Sequence, residues 1–250
     1  MIIDCISDLH GFQPELEGGD LLIVAGDLTG RDEVSEYHSF IDWIGQQKYE
    51  KKVLIAGNHD NLLSAHSVAL KNSVLQYLCD SGTEFHYYPA LQKGMPDGTT
   101  YVRKKFKIWG SPWTLWFEGI NPLCTAFTVK TEAELAEKWA LIPDDIDILV
   151  THSPPFGILD EVHRYSSKRR CAEHAHVGSI SLEHELKRIK PKLHVFGHIH
   201  EGYGMYRPKL EWPSAPTEKL KTVEGYPIFV NAAIMNRVYD PVNKPIRIVL

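Results

Sequence analysis

The chain has few cysteines and no long hydrophobic run. Its 250 residues include four cysteines, Cys5, Cys79, Cys124 and Cys171, and none of them forms a C-x-x-C pair. This spacing argues against a zinc ribbon and a redox dithiol, so we expect reduced, mostly buried thiols. No apolar stretch approaches the ~20 residues that a membrane-spanning helix needs. The first residues lack the basic and apolar segments of a secretory signal, and a cytoplasmic location is expected.

Positively charged residues are outnumbered by negatively charged ones. Lys and Arg total 27 against 32 Asp and Glu, which gives a formal net charge of −5. No cluster of Lys and Arg is large enough to cover a face, so the long-range field repels polyanions, and nucleic acid is disfavoured as the main partner. The composition, with 43% hydrophobic and 24% charged residues, is otherwise that of an ordinary globular protein. The length favours a single domain over residues 1–250.

Short apolar runs alternate with helical patterns along the chain. Apolar spacing near three and four predicts helices over 32–47, 61–78, 131–142 and 179–191, with Asp32, Asn61 and Thr131 at N-capping positions. Five runs of aliphatic and β-branched residues predict strands buried on both faces: 2–7, 21–26, 52–57, 147–150 and 193–197.

Further strands are predicted over 84–90, 99–113, 226–234 and 244–250. Strands therefore stand before, between and after the helices, which favours two sheets with helices outside over one parallel sheet. The stretches 157–178 and 207–225 show neither pattern, and we interpret both as long loops.

Five of the apolar runs end at polar groups that are able to bind a metal ion. Carboxyl ends of strands form the ligand crevice of α/β folds, and residues i and i+2 of an extended segment point to the same side. Each group alone is explained by a cap, a turn or a loop histidine, but the repetition at five strand ends favours one shared site. The groups are Asp8 and His10, then Asp27, then Asn58, His59 and Asp60, then His152, and then His198 and His200.

In this order the motifs read D-x-H, G-D, G-N-H-D, H and G-H-x-H, which resembles the calcineurin-like metallophosphoesterases. The segments WGSPW, DILVTHSPPFGILD, PKLHVFGHIHEGYG and FVNAA resemble the subgroup of metallophosphoesterase-domain proteins related to class III cyclic-nucleotide phosphodiesterases. The resemblance spans roughly residues 2–235 and weakens over 160–178 and 205–226. It implies a four-layer α/β sandwich, in which two mixed β-sheets lie face to face and are flanked by helices.

The resemblance also implies a dinuclear metal centre, in which a hydroxide bridging two ions attacks phosphorus. Imidazole, carboxylate and carboxamide ligands without thiolate suit divalent or trivalent Mn, Fe or Zn. His59 is then the candidate general acid, and Asp60 either orients the His59 ring or caps the helix that begins near Asn61. One ion is assigned to Asp8, His10, Asp27 and His200, and the other to Asp27, Asn58, His152 and His198.

The expected substrate is a small phosphoester, preferably a diester, because the five motifs contain no arginine to offset the second charge of a monoester. The subgroup resemblance implies a cyclic nucleotide or a similar small diester. Arg31 and the run Lys168-Arg169-Arg170 are the nearest candidates for phosphate contact. A phosphomonoesterase, a nuclease and a catalytically silent metal-binding scaffold are the alternatives.

Two other groups of residues receive structural interpretations. A second H-x-H motif, His174 and His176 with Cys171 close by, is assigned to a solvated loop, because no strand precedes it and no further ligand is apparent. Trp109, Trp113 and Trp116 are assigned to core packing.

Overall fold

The computed structural model describes residues 1–70, 75–88, 103–117, 122–166, 171–208 and 227–250. The helices are α1 Val34–Gln46, α2 Asn61–Ser64, α3 Glu132–Trp139 and α4 Ile180–Ile189, and a 3₁₀ turn covers His200–Gly202. Within these ranges, every helix falls short of the length and apolar character needed to cross a membrane. The strands are β1 Ile2–Ile6, β2 Gly19–Ala25, β3 Tyr49–Ile55, β4 Leu75–Tyr77, β5 Ser81–Tyr87, β6 Lys104–Ser111, β7 Thr114–Leu115, β8 Thr128–Val129, β9 Ile148–Thr151, β10 Glu161–Ser166, β11 Cys171–His176, β12 Leu193–Phe196, β13 Gly204–Tyr206, β14 Ile228–Asn231 and β15 Ile246–Val249.

Two mixed sheets form the centre of the fold. The first has the order β15-β1-β2-β3-β4, with β15 antiparallel to β1 and the other pairs parallel. The second has the order β13-β14-β12-β9-β6-β5, with antiparallel pairs at both ends. The parallel strands β1, β2, β3, β9 and β12 supply the polar groups predicted from the sequence, and parallel strands present their carboxyl ends at one edge.

The sheets and helices pack in four layers, which confirms the predicted sandwich. The inner faces of the sheets meet in an aliphatic core that includes Ile23 and Val53 from the first sheet and Val150 and Val195 from the second. On the outer face of the first sheet, α1 buries Tyr37, Phe40 and Ile44. On the outer face of the second sheet, α3 and α4 bury Trp139, Leu182 and Leu186. Trp109 and Trp113 pack against this last cluster.

The helix predicted over 61–78 is wrong beyond its first turn. Helix α2 ends at Ser64, and Leu75–Tyr77 forms β4, which pairs in parallel with β3; residues 71–74 lie outside the described part of the chain. The apolar side chains of this stretch, including Val68 and Leu70, pack beside α1 without a helix. The backbone of Leu75–Tyr77 therefore forms its hydrogen bonds with strand β3, and not within the helix that the apolar spacing predicted.

The loop predicted over 157–178 is also wrong, because β10 and β11 form an antiparallel hairpin there. The buried carboxylate of Asp160 closes the base of this hairpin by accepting the N–H groups of Gly157 and Gly178, at 3.0 and 2.8 Å. The strands carry mostly polar side chains, so they lack the apolar signal of a buried strand. The other predicted loop, 207–225, lies outside the described residues from 209 onward, as do Lys168, Arg169 and Arg170.

Of the predicted helix caps, that of α3 is confirmed and that of α1 is wrong. Helix α1 begins after Glu33, and Asp32 instead accepts hydrogen bonds from the Tyr37 hydroxyl at 2.6 Å and the Leu62 N–H at 3.1 Å. In α3, the Thr131 hydroxyl accepts the Glu134 N–H at 3.2 Å, and the Glu134 carboxylate accepts the Thr131 N–H at 2.9 Å. This reciprocal pair is a complete capping box.

Replacement of the α3 cap gives a first prediction. Thr131→Ala leaves the Glu134 N–H without its acceptor, so we expect the free energy of unfolding to fall by about 1 kcal/mol. Denaturant unfolding measures this change, with Thr131→Ser as the control that keeps the hydroxyl. Equal stability of the Ala variant and the wild type would show that the cap does not contribute.

Candidate metal centre

The polar groups predicted from the sequence meet around the carboxylate of Asp27, which follows β2. Its Oδ2 atom lies 3.7 Å from Nε2 of His10, 3.9 Å from Nε2 of His59 and 3.4 Å from Nε2 of His152. Its Oδ1 atom accepts the backbone N–H of His59 at 2.9 Å. A single carboxylate thus faces the loops that follow β1, β3 and β9.

Asp8, His10 and His200 form a cluster on one side of Asp27. One ligand atom from each lies within 4.8 Å of the others, and Nε2 of His200 is 3.3 Å from Oδ1 of Asp8. Nε2 of His10 is buried and has no hydrogen-bond partner. A buried imidazole nitrogen without a partner loses its hydration, which a coordinated cation would compensate.

Asn58, His152 and His198 form a second cluster on the other side. The Asn58 Oδ1 atom lies 3.1 Å from Nε2 of His152 and 3.0 Å from Nδ1 of His198. Asp8, Asp27 and His152 also bring one ligand atom each within 4.8 Å of one another. Asp27 therefore stands between two ligand clusters, as a bridging carboxylate must.

Hydrogen bonds to main-chain carbonyls orient two of the imidazoles. Nδ1 of His152 donates to the Ala25 carbonyl at 2.9 Å, and Nδ1 of His200 donates to the Asn236 carbonyl at 2.9 Å. A carbonyl is only an acceptor, so each Nδ1 carries a proton and each Nε2 faces the centre, where loss of its proton would free a lone pair for a metal ion. Such outer hydrogen bonds are typical of metal-binding histidines.

Four of these residues have left-handed backbones, with φ of 51° at Asp8, 43° at His10, 52° at Asp27 and 67° at His198. The expected extended D-x-H geometry is therefore wrong at Asp8 and His10, whose side chains converge through a tight turn. The N–H groups of Leu9 and His10 donate to the Asp27 carbonyl at 2.9 and 3.1 Å and hold this turn. Residues with a Cβ adopt such conformations at a cost of about 1–3 kcal/mol each, and they cluster at functional sites.

Two glycines allow the loops to approach the ligands. A Cβ atom at Gly57 would lie 2.2 Å from Oδ1 of Asp27 and 2.7 Å from Cε1 of His152. A Cβ atom at Gly197 would lie 2.1 Å from Oδ2 of Asp8. The glycines of the G-N-H and G-H-x-H motifs are therefore needed for space.

The buried charges at the centre depend on one another. Burial opposes ionisation of Asp27, but the charge of His152 and its hydrogen bond to the carboxylate outweigh burial and hold the Asp27 pKa well below its usual value. Burial likewise opposes a charge on His152, but the Asp27 carboxylate raises the His152 pKa to about 9. Burial lowers the pKa of His10 to about 4 and, together with the His152 charge, lowers that of His198 to about 3. The Asp27 carboxylate thus stays ionised inside the protein, where a cation would compensate its charge.

Asp60 does not form the expected hydrogen bond to the His59 ring, nor does its side chain cap α2. Its carboxylate accepts the N–H groups of Gly57 at 2.8 Å and Leu28 at 3.1 Å. Burial, followed by the Asp27 charge, raises the Asp60 pKa to about 7. Asp60 therefore joins the loops after β2 and β3 and positions the candidate metal ligands on them.

Cys124 is a partner of the His59 ring. The sequence predicts only that its thiol is reduced and buried. Its Sγ atom lies 3.3 Å from His59 Nδ1, and its loop is held by the Ala126 N–H, which donates to the Asn58 carbonyl at 3.2 Å. Cys124 is half-buried and Cys79 is exposed, so the expectation of mostly buried thiols holds only for Cys5 among the described cysteine side chains. A lone cysteine in a loop carries no sequence signal for this role.

Tyr239 also lies at the centre without having been predicted. Its ring centroid is 4.8 Å from that of His10 and 5.1 Å from that of His200. The cavity at the centre combines these polar groups with an apolar rim. The lining residues are Asp27, Asn58, His59, Phe117, Val162, Val177, His198, Ile199, His200 and Tyr239.

The family profile of the calcineurin-like phosphoesterases matches residues 1–202. The chain belongs to this family. Metallophosphoesterase domain-containing protein 1 of Homo sapiens is 34% identical over 260 residues, covering 97% of this chain and 68% of that protein. A UPF0046 protein of Caenorhabditis elegans is 31% identical over 258 residues, covering 97% of this chain and 58% of that protein.

A solved structure with 14% identity superposes with a TM-score of 0.50 over 92% of this chain and 89% of that chain, a likeness that concerns the fold alone. As a calcineurin-like phosphoesterase, the chain is a metal-dependent phosphoesterase. Its residues fit the metal ions that the family implies, because the unpartnered His10 Nε2 and the mixed imidazole and carboxylate donors converge on Asp27.

The close contact at Gly57 gives a second prediction. Gly57→Ala forces the Asp27 carboxylate and the His152 ring to move, so we expect bound metal per chain and phosphoesterase activity to fall by ~10-fold or more, since even outer partners of metal ligands contribute ~10–100-fold. Metal analysis after dialysis measures the loss. The control is Gly82→Ala on the edge strand β5, where the nearest atom to the added Cβ lies 3.3 Å away. Equal metal content in both variants would contradict the packing argument.

Proposed function

We propose that this metal-dependent phosphoesterase hydrolyses small phosphodiesters, of the cyclic-nucleotide kind, in preference to phosphomonoesters. The observation that carries the proposal is the lining of the cavity. The described residues that line it include neither lysine nor arginine, and Arg31 is not among them. A monoester is largely dianionic at neutral pH and calls for additional fixed cations, whereas a diester has a single negative charge.

The apolar rim of the cavity is suited to contact an organic substituent on the phosphate. Phe117 lies nearly parallel to His198, with ring centroids 6.3 Å apart, and Tyr239 stands beside His10 and His200. Aromatic side chains stack on nucleobases with ~1–3 kcal/mol per base. Val162 and Ile199 extend this surface. A diester that carries a base therefore matches both the charge and the surface of the cavity.

The two clusters provide the proposed metal ligands. When bound, transition-metal ions supply charge stabilisation for the phosphoryl oxygens and lower the pKa of water. Asp27 would bridge them, because its carboxylate faces ligands of both clusters. One ion is assigned to Asp8, His10, Asp27 and His200, and the other to Asp27, Asn58, His152 and His198.

His59 is the proposed general acid. It lines the cavity, and its Nε2 atom is 3.9 Å from Oδ2 of Asp27. Burial, followed by the Asp27 charge, raises the pKa of Cys124 to about 11, so this thiol is protonated at neutral pH and can donate to Nδ1 of His59. In the neutral ring the remaining proton then sits on Nε2, facing the cavity. Cys124 thus takes the orienting role that was one of the two alternatives for Asp60.

A comparison of diester and monoester substrates tests the proposal. We expect kcat/KM for bis(p-nitrophenyl) phosphate to exceed that for p-nitrophenyl phosphate by ~10-fold or more with Mn²⁺ at neutral pH, because the second charge of the monoester finds no fixed cation in the described cavity wall. A tenfold difference corresponds to ~1.4 kcal/mol in the activation free energy. Arg31→Ala is the control and should leave the ratio unchanged. A monoester preference that disappears in Arg31→Ala would assign the protein to the phosphomonoesterases instead.

The role of His59 gives a separate prediction. His59→Ala should retain the metal ions and lower kcat by ~10²–10⁴-fold for a diester with a poor, alkoxide leaving group. The loss should be much smaller for a nitrophenolate leaving group, which does not need a proton. Steady-state kinetics on both substrates, together with metal analysis, measures this difference. An equal loss on the two substrates would mean that His59 binds the phosphate rather than protonating the leaving group.

A further inference from the structure

The β10–β11 hairpin has two chemically different faces. Val162 on β10 is buried and lines the catalytic cavity. Side chains alternate between the faces of a strand, so Glu161 and His163, which flank Val162, point away from the cavity. His174 on β11 pairs directly with His163 across the hairpin and shares its face. The outer face of the hairpin therefore carries two imidazoles and a carboxylate side by side.

These three side chains are close enough to bind one ion. The rings of His163 and His174 meet edge to face, with centroids 4.3 Å apart, and the Glu161 carboxylate contacts Nδ1 of His174. One ligand atom from each residue lies within 4.8 Å of the other two. We propose that Glu161, His163 and His174 form a metal site on the outer face of the hairpin, separate from the catalytic centre.

The donor set indicates which cations this site takes. Two imidazoles and one carboxylate suit Zn²⁺ and neighbouring first-row ions, whereas Ca²⁺ and Mg²⁺ take oxygen ligands. In a tetrahedral shell with Zn–N bonds of ~2.0–2.1 Å, the ligand atoms lie ~3.3 Å apart. His163 is exposed and the side chain of His174 is 53% exposed, so small rotamer changes bring the donors to that spacing without disturbing the core.

The second H-x-H motif lies on strand β11 and not in the expected loop, although both of its histidines are solvent-exposed as expected. His174 and His176 are not partners in one site, because Nδ1 of His176 contacts the buried Asp160 carboxylate at 2.7 Å. Asp160 in turn holds the base of the hairpin. The partner of His174 is His163 on the opposite strand, which only the hairpin pairing brings into place.

An ion at this site has a structural consequence for the catalytic cavity. It joins β10 to β11 at His163 and His174, immediately beside Val162 on the opposite face. Val162 and Val177 form part of the cavity wall. The ion therefore stabilises this wall without contacting the phosphoester.

Metal counting on the whole chain tests the proposal. Protein freed of metal is dialysed against saturating Co²⁺, and bound Co²⁺ per chain is compared between the wild type and His163→Ala/His174→Ala. We expect the variant to bind one ion fewer than the wild type. The control is His38→Ala/His184→Ala, which removes two exposed histidines from α1 and α4 and should match the wild type. Equal Co²⁺ binding by the wild type and the His163/His174 variant would overturn the site.

This comparison is independent of the proposed substrate and of the number of ions at the catalytic centre, because it measures a difference between variants.

A second variant covers the case in which the double substitution disturbs the hairpin. Glu161→Gln keeps both imidazoles and should weaken Co²⁺ binding at the site by at least ~10-fold, because a carboxamide is a poorer ligand than a carboxylate. Unchanged Co²⁺ affinity in Glu161→Gln would also overturn the proposal.

Discussion

The buried carboxylate of Asp27 is the interaction on which the rest of the centre depends. The residue is only 2% exposed, and its two oxygens face the His59 N–H and three imidazole rings. Its main-chain carbonyl also accepts the N–H groups that shape the turn after β1. One residue therefore links the loops that follow four strands of two sheets. An ionised group so deeply buried is stable only with hydrogen bonds and compensating charge, which the His59 N–H and the His152 ring supply.

The strain and close packing at the centre are consistent with this dependence. Left-handed residues and glycines without room for a Cβ atom are tolerated because the aliphatic core between the sheets holds the strand ends in position. Asp60 adds a second buried carboxylate, which ties the Gly57 loop to the Leu28 loop. The geometry of the candidate metal ligands thus depends on the sheets, whereas in the proposed function the choice of substrate depends on the cavity residues Phe117, Val162 and Tyr239.

The parts that the sequence predicts are those with a strong periodic or positional signal. Buried parallel strands read as apolar runs, and polar groups directly after them identify the edge at which ligands gather. The hairpin over β10 and β11 was missed because its strands are polar, and the 61–78 helix was overpredicted because its apolar residues pack beside α1 in another conformation. The contacts of Asp60 and Cys124 could not be predicted, since both depend on loops that meet only in the folded chain.

Metal analysis of Asp27→Asn tests the central claim most directly. The substitution keeps the shape of the side chain but removes the charge shared by the two clusters. We expect metal affinity and phosphoesterase activity to fall together by at least ~10-fold, because even outer partners of metal ligands contribute ~10–100-fold. Asp42→Asn on the exposed side of α1 is the matched control and should retain both. Full metal occupancy with near-normal turnover in Asp27→Asn would contradict the account of a centre bridged by this carboxylate.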